Sequence, residues 1–540
     1  MTKCPAILLP LPIDCAGISR LYALKPIGWW GNGGEGVRNP LCAMKRIQKT
    51  MKITYCCRVI AMIFVACLCW SCGDWREPAA TTSSFAPIFP DYKDVAMPIN
   101  IAPPDFGVEE ATHIQSVMRC GDKEVRLCGK DYIEIPFDDW QALKNEALSR
   151  KTAGGQIEVS VSAWTKGNPN GVTYKPFHIT VSPDSIDPYI CYRLIPPGYQ
   201  AWNTMGIYQR NLSNYDEEAI VTNAQNAHGC VNCHSLAQYS PQKGFLFHAR
   251  GQGGGTVVYS GGALKKVALE SMGPMRSGTY PMWHPEGRWV VFSSNITHQS
   301  FYAHSQDKIE VYDNSSDLIL YDSKTDRVLT DPRFCDSLHW ETFPAFSPDG
   351  RWLYVCQAKP VQMPTRFNDL HYSLLRVPFD AETGSLGQEV DTVYSAAAKG
   401  GSVSFPRISP DGRWLLYTWS QCATFPIHHK EADLRMIDLD SPDFHEVTDI
   451  GPINSKDVDS YHSWSSNGKW VIFSSKRIDG RYTRLFLSHW DGRRFSKPML
   501  LPQREPAHNV WRMYSYNIPE FMSAPVHFDA DELSRLLAPD

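Results

Sequence analysis

Five residues, Cys230-Val231-Asn232-Cys233-His234, have the types and spacing to do chemistry. C-x-x-C-H is the attachment pattern of c-type haem: the two thiols form thioethers with the porphyrin, and the following histidine becomes an axial iron ligand. With cysteine and histidine at this abundance, a random chain of 540 residues would contain the pattern roughly 0.015 times. Other readings stay open beside it. Cys230, Cys233 and His228 could contribute to a zinc site, although no second C-x-x-C or H-x₃-H follows to complete one. A thioredoxin-type dithiol would need a βαβ setting, and a structural disulfide is the plainest alternative. On the haem reading, Cys230 and Cys233 hold one covalent haem c and His234 is its axial ligand. His248 is then the first candidate for the opposite face, with Met205, Met272, Met275 and Met282 behind it. A lone His or Met in an apolar strand is more commonly a packing residue, and the cluster Gly251-Gln252-Gly253-Gly254-Gly255 lacks the spacing of a phosphate loop.

Export supports covalent haem, which bacteria attach outside the cytoplasm. Lys45, Arg46, Lys49, Lys52 and Arg58 precede the apolar run Val59–Trp70, which ends at Ser71-Cys72-Gly73. A basic region, about 12 apolar residues and then small residues describe a secretory signal, too short to span a bilayer comfortably. Ser71-Cys72 resembles a bacterial lipobox, although Cys69 and Trp70 depart from its usual residues, so Cys72 is the expected lipidation site. Residues 1–43 fall outside such a signal, so translation is expected to start at Met44 or Met51, with 44–71 the signal and 72–85 the anchor and tether. The first 71 residues carry nine Lys/Arg and two Asp/Glu, leaving 44 against 55 and a net charge of −11. An acidic exported chain without a basic stripe argues against a nucleic-acid partner. Cys120 and Cys128 could close a small loop, though spacing does not decide pairing.

The elements that must position these residues read as mainly β. The 39 Pro and 37 Gly fall as turn punctuation, and Ile157 to Trp164 alternates apolar and polar side chains as a half-buried strand does. Residues 86–200 are read as a small β-sandwich-like domain with one helix near Asp138, and 201–236 as a short helical segment delivering the haem motif. Downstream, one phrase recurs: Trp283-His284-Pro285-Glu286-Gly287-Arg288-Trp289, Phe346-Ser347-Pro348-Asp349-Gly350-Arg351-Trp352, Ile408-Ser409-Pro410-Asp411-Gly412-Arg413-Trp414 and Trp464-Ser465-Ser466-Asn467-Gly468-Lys469-Trp470, with a fainter copy from Tyr239 to Phe247. Pro sets entry to a tight turn, Asp or Asn caps it, Gly takes positive φ, and the next aromatic opens a strand. His284 is read as a structural stand-in for the turn serine. Repeats at this period imply an array of β units.

The S-P-D-G-[RK]-W phrase resembles the WD40-like (PD40) repeats of TolB-type β-propellers, and the whole chain resembles a group of exported bacterial lipoproteins that place such a propeller after a C-x-x-C-H segment. The resemblance implies a propeller of five to six blades over 237–520, followed by a short tail helix in 521–540. The function expected is electron transfer by a mono-haem protein, lipid-anchored in the envelope at the periplasmic side or outer membrane, with the propeller docking a redox partner or an envelope complex. The alternative is a non-redox binding or scaffold lipoprotein whose cysteines are structural or bind zinc. A propeller-containing serine peptidase is not expected, because no G-x-S-x-G elbow is present.

Overall fold

The computed structural model describes residues 75–150, 155–196, 204–269, 278–301 and 309–538. Cys72, the signal, Met272 and Met275 lie outside them. The described chain is mainly β and is built from many small sheets. No described helix is long and apolar enough to cross a membrane.

The N-terminal part holds a seven-stranded sheet and a three-stranded one. The strand Gln156–Thr165 is central, pairing with both Ala111–Cys120 and Phe177–Ser182. Its alternation is satisfied, since Ile157, Val159, Val161 and Ala163 are buried. Cys120 forms no disulfide, so none closes the loop between it and Cys128. The helix Phe137–Ser149 follows Pro136 and places Asp138 and Asp139 in its first turn, where the helix dipole favours them. Trp140, Leu143 and Ala147 form its buried face, and Trp140 Nε1 donates to the Ile101 carbonyl at 3.1 Å.

Six further small sheets follow, each an antiparallel meander. Their leading strands are Ser515–Met522, Val231–Ala237, Thr279–Trp283, Trp340–Phe346, Ser402–Ile408 and Asp459–Trp464. Going along the chain from Val231, each leading strand packs beside the next. The first sheet is composite: its other strands are Tyr189–Ile195, Gly206–Asn211 and Glu217–Thr222, so residues that precede and residues that follow the other five sheets complete one sheet.

This arrangement corrects the expected helical segment at 201–236. Its described residues form two strands of the first sheet, a single 3-10 turn at Asn223–Asn226, and the leading strand of the second sheet. The polar, Ala- and Glu-containing stretch that read as helix includes an edge strand, Glu217–Thr222, in which Glu218 faces solvent and Glu217 turns in to pair with Arg512. The faint repeat copy at Tyr239 is also shifted. Gln238 and Tyr239, with φ of 44° and 65°, form the two-residue hairpin between Val231–Ala237 and Ser240–Ala249. The tail helix is Ala530–Leu536, capped by Asp529, whose side chain accepts from Glu532 N at 2.8 Å.

Candidate functional site

All six leading strands share one irregularity. Cys233, Tyr280, Phe343, Phe405, Tyr461 and Ile518 have φ between 45° and 54°, and the pairing register shifts at each. Non-glycine residues at positive φ are uncommon, so six at one position define a built-in bulge, which re-aims a side chain. Three of the aromatic rings converge, with centroids of Tyr280 and Phe343 4.5 Å apart, and of Phe343 and Phe405 4.1 Å apart. Together with Cys233 and Ile518 they line a constriction.

The bulge decides what Cys233-His234 is. Set against the other leading strands, Asn232-Cys233-His234-Ser235-Leu236 occupies the place of Thr279-Tyr280-Pro281-Met282-Trp283, Thr342-Phe343-Pro344-Ala345-Phe346 and Ser404-Phe405-Pro406-Arg407-Ile408. His462 stands where His234 does, in Ser460-Tyr461-His462-Ser463-Trp464, and its Nε2 lies 2.9 Å from the Leu416 carbonyl oxygen. The second half of the C-x-x-C-H motif is therefore a member of the repeat, which began four residues earlier than the turn phrase suggested.

As folded, the motif does not fit a covalent haem. Both thiols would have to meet one porphyrin edge, with the ring lying over His234. Cys230 instead packs in an apolar cluster with Met205, Ile207, Val231 and Phe247, where burial pushes its thiol up to about 11. Cys233 faces the constriction, and the cavity beside it and His234 is about 20 Å³, enough for one water. His248 is not brought to His234: it pairs across from Asn232, and its Nδ1 lies 3.2 Å from Thr256 Oγ1. Burial, then the nearby Arg250, lowers His248 to about 4. His228 is exposed, so Cys230, Cys233 and His228 form no cluster.

His234 turns toward the first sheet. Its side chain, Cys191 and Glu520 offer ligand atoms all within 4.8 Å of one another, the only such trio among the described residues. Cys191 and Glu520 are cross-strand partners between Tyr189–Ile195 and Ser515–Met522, and the leading strand of the second sheet carries His234 to them. Neither His234 nitrogen makes a hydrogen bond. Burial, then the Arg193 charge, lowers its pKa to about 3, with the Ile518 backbone only partly opposing this. Burial raises Glu520 to about 7 despite Arg407, whose Nη2 lies 3.8 Å from Oε1. The other carboxyl oxygen, Oε2, is buried without a partner. Burial, then the Glu520 charge, holds the Cys191 thiol well above its ordinary range. Sequence reasoning missed Cys191 and Glu520 because they lie 43 residues before and 286 residues after His234, with no local pattern to join them.

On the turn-phrase side of the constriction lies a cavity of about 390 Å³. Trp283, Phe346, Trp464 and Phe521 supply apolar wall, and Arg407 and Glu520 the charge. His284 takes the structural role expected of it: Glu286 N donates to its Nδ1 at 3.2 Å, and its Nε2 lies 3.1 Å from the Gly350 carbonyl oxygen.

No family model matches the chain, and no curated protein matches it. Solved structures similar to it include a thermostable family-43 glycoside hydrolase, 11% identical with a TM-score of 0.31, covering 51% of this chain and 94% of that one. A puromycin-hydrolyzing peptidase from Mycobacterium tuberculosis is 10% identical with a TM-score of 0.34, covering 65% and 52%. Prolyl oligopeptidase B from Galerina marginata is 13% identical with a TM-score of 0.33, covering 75% and 54%. The chain thus spans about half the length of these two peptidases, and scores at this level carry no argument about its function.

Proposed function

We propose that this chain is an exported, non-redox binding protein: a six-bladed β-propeller, with the composite first sheet closing the ring, anchored to the cell envelope through a lipid on Cys72. The observation that carries this reading is the cavity of about 390 Å³ at the turn-phrase end of the leading strands, floored by the aromatic constriction. Aromatic walls around a single guanidinium suit a small ligand with an apolar body and an anionic group directed at Arg407. The constriction blocks passage along the axis, so the ligand enters and leaves by one mouth.

Two observations favour this reading over electron transfer: Cys233-His234 recurs as a repeat position, and the space beside it, about 20 Å³, is small for a macrocycle. Expression in a host with haem-attachment machinery separates the two readings. The protein should be colourless and negative on a haem-stained denaturing gel; a pyridine haemochrome signal of one haem per chain would reverse the conclusion. Thermal-shift screening with short carboxylated peptides and aromatic carboxylates should give hits that vanish in Arg407→Met.

A further inference from the structure

We propose that Cys191, His234 and Glu520 form a zinc site that joins the two parts of the composite first sheet to the second sheet. The site shares Glu520 with the wall of the larger cavity, but Cys191 and His234 lie outside that wall, so zinc and cavity ligand are read out separately. The donor set is one sulfur, one imidazole nitrogen and one carboxylate oxygen, the types zinc takes in three-ligand sites that keep a fourth position for water. Their ligand atoms lie within 4.8 Å of one another, near enough for a single ion to draw all three in.

A second observation points to an occupant. His234 is 3% exposed and neither of its ring nitrogens has a hydrogen-bond partner, and Glu520 Oε2 is likewise buried and orphaned. A buried polar atom left unpaired is costly. At His462, the matching position four sheets on, one ring nitrogen does find a carbonyl. The repeat can therefore satisfy a histidine here; at His234 the Ile518 backbone is near enough to favour the charged ring but completes no hydrogen bond. Arg407 Nη2 approaches Oε1 at 3.8 Å and leaves Oε2 without a partner.

Charge and protons balance. Binding replaces the Cys191 thiol proton with the metal and keeps Glu520 ionised, so thiolate and carboxylate together neutralise the divalent ion, and the displaced protons pass to solvent. Arg407 remains as a flanking positive charge that favours the Glu520 carboxylate. Mechanically, the ion would bond Tyr189–Ile195, Ser515–Met522 and Val231–Ala237 at one point.

The test is metal analysis of the full-length protein purified from zinc-supplemented medium without chelators. One zinc per chain is expected, and Co²⁺ exchanged into the site should show a thiolate-to-cobalt absorption band. Cys191→Ser and Glu520→Gln should each weaken Zn²⁺ binding roughly a hundredfold while leaving the far-ultraviolet circular dichroism unchanged. Cys230→Ser/Cys233→Ser should keep both the zinc and the cobalt band. A folded protein with less than a tenth of an equivalent of zinc overturns the proposal, and so does zinc that follows Cys230 and Cys233 instead of Cys191 and Glu520.

Discussion

His429 shows how a single buried group can set a pH dependence. It is 8% exposed, with Nε2 3.1 Å from Glu310 Oε2 and Nδ1 3.4 Å from Glu431 Oε1, ion-pair distances on both sides of the ring. Burial opposes its charge, but Glu310 and Glu431 prevail and raise it to about 9. Glu431, held chiefly by His429, falls to about 2. A raised histidine stabilises fully below its unfolded pKa near 6.5 and loses that contribution as pH climbs through 9; the lowered carboxylate contributes above about 4.5 and loses it toward pH 2. Stability from this pair is therefore greatest between about pH 4.5 and 6.5. Denaturant unfolding of wild type and His429→Gln should show wild type losing about 2 kcal/mol relative to the variant between pH 6.5 and 9, less than the full linkage value because of solvent screening. Parallel pH profiles for the two proteins would refute the assignment.

Among the elements, the turn phrase is the part of the fold most legible in sequence. Ser347 Oγ donates to Asp349 Oδ1 at 2.5 Å, Arg351 N donates to the same oxygen at 3.1 Å, and Trp352 N donates to Ser347 Oγ at 3.0 Å. Ser409 and Asp411 repeat this arrangement before Trp414. The glycines that follow are not equivalent. Gly412, at φ 80°, has open space around a Cβ, whereas a Cβ on Gly350, at φ 74°, would lie 2.2 Å from His284 Nε2. Gly412→Ala should cost about 1 kcal/mol, the left-handed backbone penalty alone, and Gly350→Ala about 2 kcal/mol or more. Adding His284→Ser, which removes the clashing ring, should bring Gly350→Ala down to the Gly412 value in a double-mutant cycle; equal costs in the two single variants would show that His284 yields freely. What sequence hid was the start of the repeat. Thr279-Tyr280-Pro281 and Thr342-Phe343-Pro344 share no residue type with Asn232-Cys233-His234 at their last two positions, so the bulge they share was recognisable only from backbone dihedrals. A rare five-residue pattern then outweighed a common but degenerate one. The helix expected at 201–236 failed for a tertiary reason: Gly206–Asn211 is held between Tyr189–Ile195 and Glu217–Thr222, and Val231–Ala237 pairs with Ser240–Ala249, so strand pairing overrode a composition that suits a helix.

At the scale of the whole molecule, the N-terminal sheets and the small sheets behave as one body. The described residues form a single compact unit. One apolar cluster runs from Ile114, Val159 and Ile179 through Ile190 and Tyr192 to Trp470, Ile472 and Leu487. Polar ties cross the same seam: Trp470 Nε1 donates to the Asp184 carbonyl at 2.9 Å, His489 Nε2 lies 2.7 Å from Asp184 Oδ2, Ser466 N donates to Asp187 Oδ2 at 2.8 Å, and Lys497 Nζ reaches Asp91 Oδ2 at 2.9 Å. Sheets that share a buried core and a hydrogen-bonded seam cannot expose one face without unfolding the other. Calorimetry should therefore show one endotherm for the full-length protein, despite its size and its several sheets. Trp470→Ala, which empties a fully buried site at the seam, should destabilise by about 3–5 kcal/mol and move that endotherm down as a unit. Hydrogen exchange supplies the local readout: protection should fall together in Gln156–Thr165 of the N-terminal sheet and in Trp470–Ser475. If Trp470→Ala splits the endotherm, or loosens Trp470–Ser475 while Gln156–Thr165 keeps its protection, the two parts fold independently and the shared core does not couple them.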